Sequence, residues 1–159
     1  MTVYSGTYTP VRSDGSPITF RDPIADAREK LRQAARLPFH ASKPHSWQES
    51  FSALVIDARS ALRRHIWLAS LKDSPLNRAE EQEPRLRPHV EDQRKQHDEL
   101  ADCIDALVDS AAEPGPADIW RMIELGERAI LLEMAIARHH NRLMQLLFET
   151  THQDVGVAG

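Results

Sequence analysis

Three histidines of this chain lie on lines of apolar residues that repeat with helical spacing. They are His65, His97 and His140, and each belongs to a different predicted helix. Neutral imidazole is a common ligand for iron, zinc, copper and nickel, and facing helices of a bundle can bring side chains together at one level. The pattern therefore predicts a metal site formed by these three residues. The alternative is three separate core histidines, each hydrogen-bonded to a nearby acid or carbonyl group.

Two nearby residues affect the assignment on the last helix. His139 faces a second apolar line, so it replaces His140 in the site if the register of that helix is shifted by one residue. Glu133 shares the line of His140, but the two are separated by two helical turns, or about 10 Å. We therefore expect Glu133 to pair with an arginine or histidine across the bundle rather than to share a metal with His140.

The composition argues against several classes of function. Charged residues make up 28% of the 159 residues and the formal net charge is −4, so a general basic footprint for nucleic acid is absent. No apolar run reaches the roughly 18 residues of a membrane span. The single cysteine, Cys103, fits a reducing compartment and is expected to be an inert core thiol. We expect a cytoplasmic protein with no nucleic-acid or membrane partner, and no sequence motif indicates an enzyme.

Four helices are predicted to position these side chains, and they cover about residues 22–37, 46–72, 84–112 and 116–150. Asp22 is a natural N-cap before Pro23, and Ser46 begins a capping-box sequence that is expected to open the second helix. Between the second and third helices, the charged stretch 76–83 could hold a short helical turn. The pattern is typical of an all-α, up-down-up-down four-helix bundle. The predicted organisation is a tail, a bundle and a second tail: 1–21, 22–150 and 151–159.

The buried face of each helix is predicted from apolar residues three and four positions apart. In the first helix this line is Ile24, Ala27, Leu31, Ala34 or Ala35, and Leu37. In the third helix it is Leu86, Val90, Gln93, His97, Leu100, Ile104 and Leu107. In the fourth helix it is Ile119, Ile123, Gly126, Ile130, Glu133, Ala137, His140, Met144 and Leu147. The second apolar line of that helix, next to His139, is Met122, Leu125, Ala129, Leu132, Ile136 and Leu143.

Three short motifs carry a resemblance to a known family. One opens the third helix and reads Glu83-Pro84-Arg85-Leu86, followed by Gln96-His97-Asp98-Glu99-Leu100. The second is His65, about twenty residues before that opening. The third is His140 together with the terminal Asp154-Val155-Gly156. Over about residues 46–156 these motifs resemble the ligand histidines and the ending of hemerythrin-like (HHE cation-binding) proteins, which implies a four-helix bundle with a metal site.

The chain departs from the ligand pattern of that family. In the family a carboxylate follows the second- and fourth-helix histidines by four or five residues. Here Ala69 and Ser70 hold these positions after His65, and Met144 and Gln145 hold them in the fourth helix. The first helix, which supplies another histidine in the family, contains none. Bridging carboxylates offset the charge of two cations, and they are missing here, so a di-iron centre is not expected. The expected cofactor is one iron or zinc ion, and the close alternative is no metal.

Two functions follow from these observations. The first is a hemerythrin-like bundle with a degenerate histidine site that binds a single metal or small ligand in a sensing or storage role. The second is a metal-free helical bundle that acts as a protein-interaction or scaffold module. The expected kind of partner is another protein or a further copy of the chain, bound through an apolar patch or the N-terminal tail.

Overall fold

The computed structural model describes residues 22–40, 42–115 and 118–152, and its regular elements in these ranges are helices. They are α1 (Pro23–Ala35), α2 (Pro44–Ser70), α3 (Pro75–Gln82), α4 (Arg87–Ala112) and α5 (Ile119–His152), with a 3₁₀ turn (Pro84–Leu86) before α4. The described ranges contain no β-strand, so the all-α prediction is confirmed, and the four predicted helices correspond to α1, α2, α4 and α5. The predicted tail 1–21 and residues 153–159 of the predicted tail 151–159 lie outside the described residues, whereas Thr151 and His152 belong to α5 rather than to a tail.

Local signals explain where the helices begin. Asp22 caps α1, because its Oδ1 accepts a hydrogen bond of 3.1 Å from the backbone N–H of Ile24. The prediction that α2 opens at Ser46 is wrong, since the helix already begins at Pro44. A proline suits the first helical position because its fixed φ is helical and its missing N–H would have no partner there. The N-cap residue Lys43 accordingly makes no side-chain capping bond.

Four helices pack side by side around the core. α1 lies against α2 and α5, and α4 lies against the same two helices. α2 and α4 run in opposite directions, because Gln48 bonds to the Ala111 carbonyl at one end while His65 meets His97 at the other. α3 is the short helix of the charged stretch, and it packs on α4, α5 and the 3₁₀ turn.

The buried apolar residues form two separate clusters. The larger core is built by α1, α2, the second half of α4 and the first half of α5, and it includes Phe51, Leu62, Ile104 and Ile136. The smaller core joins α3 and the 3₁₀ turn to the first half of α4 and the end of α5, through Leu76, Leu86, Val90 and Leu146. Each large apolar side chain that is fully buried contributes about 1.5–3 kcal/mol. The order of residues along α4 and α5 places His97 and His139 between the two cores.

Burial confirms the predicted faces of α1 and α4 and overturns that of α5. On α4 the whole predicted line from Leu86 to Leu107 is buried. On α5, by contrast, Ile123 and Ile130 of the predicted line are about half exposed. The buried residues there are those of the second line: Met122, Leu125, Ala129, Leu132 and Ile136. Both lines have helical spacing and apolar residues, so periodicity alone does not say which of them faces the bundle.

No helix in the described ranges has the length and apolar character needed to cross a membrane.

Candidate metal centre

Three histidines from three helices meet inside the bundle. His65 of α2, His97 of α4 and His139 of α5 each offer a ring nitrogen, and these nitrogens lie within 4.8 Å of one another. The Nε2 atom of His65 is 3.3 Å from the Nε2 of His97 and 3.3 Å from the Nε2 of His139. The structure thus brings together two of the predicted ligands, His65 and His97. The third member is His139, which the sequence offered in place of His140 if the register of the last helix is shifted by one residue.

His140 lies outside this group. The face of α5 that contains Leu132 and Ile136 is the buried one, and it turns His139 inward, 2% exposed. His140 is rotated by about 100° around the helix and is half-buried. Its Nδ1 atom is shielded from solvent and finds no hydrogen-bond partner among the described residues. The residue is therefore a neighbour of the cluster and not a member of it.

Hydrogen bonding between the histidines cannot account for both short contacts. The Nε2 of a neutral imidazole carries either one proton or one lone pair, so it makes one hydrogen bond in the plane of its ring. The Nε2 of His65 nevertheless meets two other Nε2 atoms, with the rings nearly perpendicular to its own at 82° and 83°. One of the two contacts is therefore not a hydrogen bond. A cation between the nitrogens would instead accept a lone pair from all three.

The spacing of the nitrogens fits such a cation. A tetrahedral zinc site has Zn–N distances of about 2.0–2.1 Å, which places its nitrogen ligands about 3.3–3.4 Å apart. The Nε2 of His65 is 3.3 Å from each of the other two Nε2 atoms, and the ring nitrogens of His97 and His139 lie within 4.8 Å of each other. The three histidines therefore have the donor chemistry of a mononuclear site, and two of their three separations match its ligand spacing, with a fourth position free for water or a small ligand.

Gln96 of α4 fixes the protonation of one histidine. Its Oε1 lies 3.0 Å from the Nδ1 of His139 and can only accept a hydrogen bond, so Nδ1 carries the proton. The lone pair of His139 is then on Nε2, which faces His65. Gln93, one turn earlier on α4, donates to the same Gln96 oxygen at 3.5 Å. A hydrogen bond to the ring nitrogen that does not bind the metal orients the metal-ligating histidine in many proteins.

The environment keeps the three rings neutral. Burial, with repulsion from the neighbouring rings as a smaller cause, lowers the pKa of His139 to about 3. Burial and the proximity of His65 lower the pKa of His97 to about 4. The pKa of His65 is also lowered, mainly by burial, although Asp22 partly opposes the change. At neutral pH no proton has to be removed before these nitrogens can bind a metal.

The acidic residue on the predicted line of His140 has another role. Glu133 accepts a hydrogen bond of 2.8 Å from the Nε of Arg28, which lies across the bundle on α1. The Nε of Arg32 is 3.9 Å from the same oxygen. This confirms that Glu133 pairs with arginine. In the described part of the chain, the group of potential ligands contains histidines only.

The prediction for the cysteine is wrong. Cys103 is exposed and unpaired rather than part of the core. It precedes Ile104, which is on the buried line of α4, and one position corresponds to a rotation of about 100° around the helix. Together with Gln96, His139, Arg138 and other residues of α4 and α5, it lines a cavity of about 200 Å³.

The chain was compared with protein-family models, with curated proteins and with solved structures, and none of them matches it.

Proposed function

We propose that the protein binds one divalent metal ion through His65, His97 and His139 and works in a sensing or storage role. The observation that carries this proposal is the pair of 3.3 Å separations between Nε2 atoms, which hydrogen bonds cannot both explain. Imidazole ligands favour zinc or iron among the abundant cellular metals. Three protein ligands leave one position for water or a small ligand, as in zinc sites that bind an exchangeable ligand.

We also propose that the chain is a divergent, cytoplasmic hemerythrin-like bundle with up-down-up-down helices. Two observations support it. Histidines from α2, α4 and α5 converge, and side chains at the starts of α2 and α5 bond to carbonyl groups at the end of α4, as in antiparallel neighbours. The all-histidine group lacks the carboxylates that bridge two irons, so the proposal is for one ion and not for a di-iron centre.

Elemental mass spectrometry of the purified, untagged protein tests the metal site. We expect about one zinc or iron per chain. The variants His65→Ala, His97→Ala and His139→Ala should lose the metal while retaining their helical circular dichroism. His140→Ala is the matched control, because His140 is adjacent in sequence but outside the group, and it should keep the metal.

The opposite results would refute the proposal. A protein free of metal, even after anaerobic reconstitution with ferrous iron or incubation with zinc, has no such site. A metal that persists in His139→Ala but disappears in His140→Ala would place the site elsewhere.

The second candidate, a metal-free interaction module, is supported by a different observation. Several large apolar side chains of α5 are exposed, among them Ile123, Ile130 and Leu131. Several exposed apolar residues along one helix are typical of a surface that binds another protein.

A further inference from the structure

One face of α5 is apolar and turned away from the bundle. Its residues follow one another at intervals of three and four: Ile119, Ile123, Gly126, Ile130, Met134, Ala137, Asn141 and Met144. Asn141 is the only polar residue among them. The five large apolar side chains are between 46% and 52% exposed. We call this set the α5 stripe, and it runs along most of a helix that is about 50 Å long.

The spacing of the α5 stripe is suited to a helical partner. Apolar residues repeating at three and four positions form the seam through which two helices pack as a coiled coil. Inside the bundle this role belongs to a different line of α5, which includes Leu132 and Ile136. Helix α5 therefore has two seams, and the described residues use one of them.

We propose that the α5 stripe binds the α5 stripe of a second copy of this chain, with the two helices antiparallel about a two-fold axis near Met134. A two-fold axis requires a self-complementary surface, in which each residue meets its counterpart from the other half of the same stripe. In this arrangement Ile123 lies opposite Met144 of the second copy, and Ile130 lies opposite Ala137. Gly126 lies opposite Asn141, and no described atom lies within 4 Å of the position of a Gly126 Cβ.

The charges beside the α5 stripe favour the antiparallel direction. Glu124 and Glu127 flank its first half, and Arg138 and Arg142 flank its second half on the same side. In the described part of the chain none of these four residues forms an ion pair. Antiparallel helices place Glu127 opposite Arg138 and Glu124 opposite Arg142 of the second copy. A parallel pair would keep the first halves of the two helices side by side and would not bring these opposite charges together.

Sedimentation velocity over roughly two decades of concentration tests for the dimer, since a reversible dimer dissociates on dilution. We expect the native protein to dimerise and Ile130→Glu to be monomeric, because it places a charge in the centre of the contact. Trp67→Glu is the matched control: it changes another exposed apolar residue, on α2, and should still dimerise. A native protein that is monomeric throughout, or an Ile130→Glu variant that dimerises normally, would overturn the proposal.

Charge reversal tests the direction of the helices. Glu127→Arg and Arg138→Glu should each weaken the dimer, with the dissociation constant rising about tenfold. The double variant Glu127→Arg/Arg138→Glu should restore it, because the pairs then form with opposite polarity. A double variant weaker than either single variant would contradict the antiparallel pairing.

Cysteine cross-linking provides an independent measurement, in a Cys103→Ser background that removes the native thiol. Met134→Cys lies at the axis, so two copies should oxidise to a covalent dimer. Ile123→Cys lies far from its own counterpart in the antiparallel arrangement and should not. If Ile123→Cys cross-links as readily as Met134→Cys, the helices are parallel and the proposed arrangement is wrong. All these positions are exposed, so the variants should fold, and none of them is a proposed metal ligand.

Discussion

At the scale of single residues, Gln96 determines how His139 can act. Its oxygen holds the proton of His139 on Nδ1 and so leaves Nε2 available to a metal. We predict that Gln96→Leu lowers metal affinity about 10–100-fold, the usual effect of removing such a partner. Competition with a chromophoric chelator measures this affinity. The control is Gln145→Leu, a glutamine on the exposed surface of α5, which should leave the affinity unchanged.

An unchanged affinity in Gln96→Leu would mean that His139 needs no partner to present Nε2. If the control lost affinity as well, the effect would reflect the shape of the α4–α5 interface and not the proton on Nδ1.

The sequence predicted part of this site. His65 and His97 could be recognised because each lies on an apolar line of its helix. His139 and His140 could not be distinguished, because they are adjacent and each belongs to one of two apolar lines. Gln96 gave no signal at all, since its role depends on the contact between α4 and α5.

At the scale of the helix, the buried face of α5 can be tested by mutation. We predict that Ile136→Ala, at a fully buried position, destabilises the protein by about 2–4 kcal/mol because it leaves a cavity. Leu131→Ala, at an exposed position outside the α5 stripe, should change stability by less than about 0.5 kcal/mol. Urea denaturation at one protein concentration measures both, and equal losses would argue against the described register of α5.

The buried face of a helix could be predicted where the helix has a single apolar line. α1 has a clear cap, a proline at its first position and a single line, and α4 has a single line as well, so both faces were predicted correctly. α5 has two apolar lines separated by roughly 100°, and only the positions of α1 and α4 decide which one is buried. That information is tertiary and is absent from the local pattern.

At the scale of the whole molecule, the histidines make the stability of the metal-free protein depend on pH. Their pKa values are near 6.5 in the unfolded chain, whereas burial lowers those of His97 and His139 to about 4 and about 3. Between these values the unfolded chain binds more protons, so stability falls as the pH decreases from about 6.5 to about 4. Each of the two histidines contributes a slope of up to about 1.4 kcal/mol per pH unit.

Urea denaturation of chelator-treated protein at several pH values measures this slope. His139→Asn is the control, because it removes one titrating ring and should reduce the slope between pH 4 and 6.5 relative to the native chain. Since acidic residues also titrate in this range, the difference between the two proteins is the decisive quantity. Identical slopes would show that His139 is protonated as readily in the folded protein as in the unfolded one.

The separation of the core into two clusters has a consequence for local opening. The smaller core, around Leu76, Leu86 and Val90, contains few apolar residues and can open while the larger core stays intact. Amide hydrogens at the start of α4 and the end of α5 should then exchange faster than those beside Ile104. A metal held by His65, His97 and His139 ties together the helices that meet at this boundary. Metal binding should therefore slow amide exchange most in the smaller core. Binding at three nitrogen atoms would then change the dynamics of one end of the bundle.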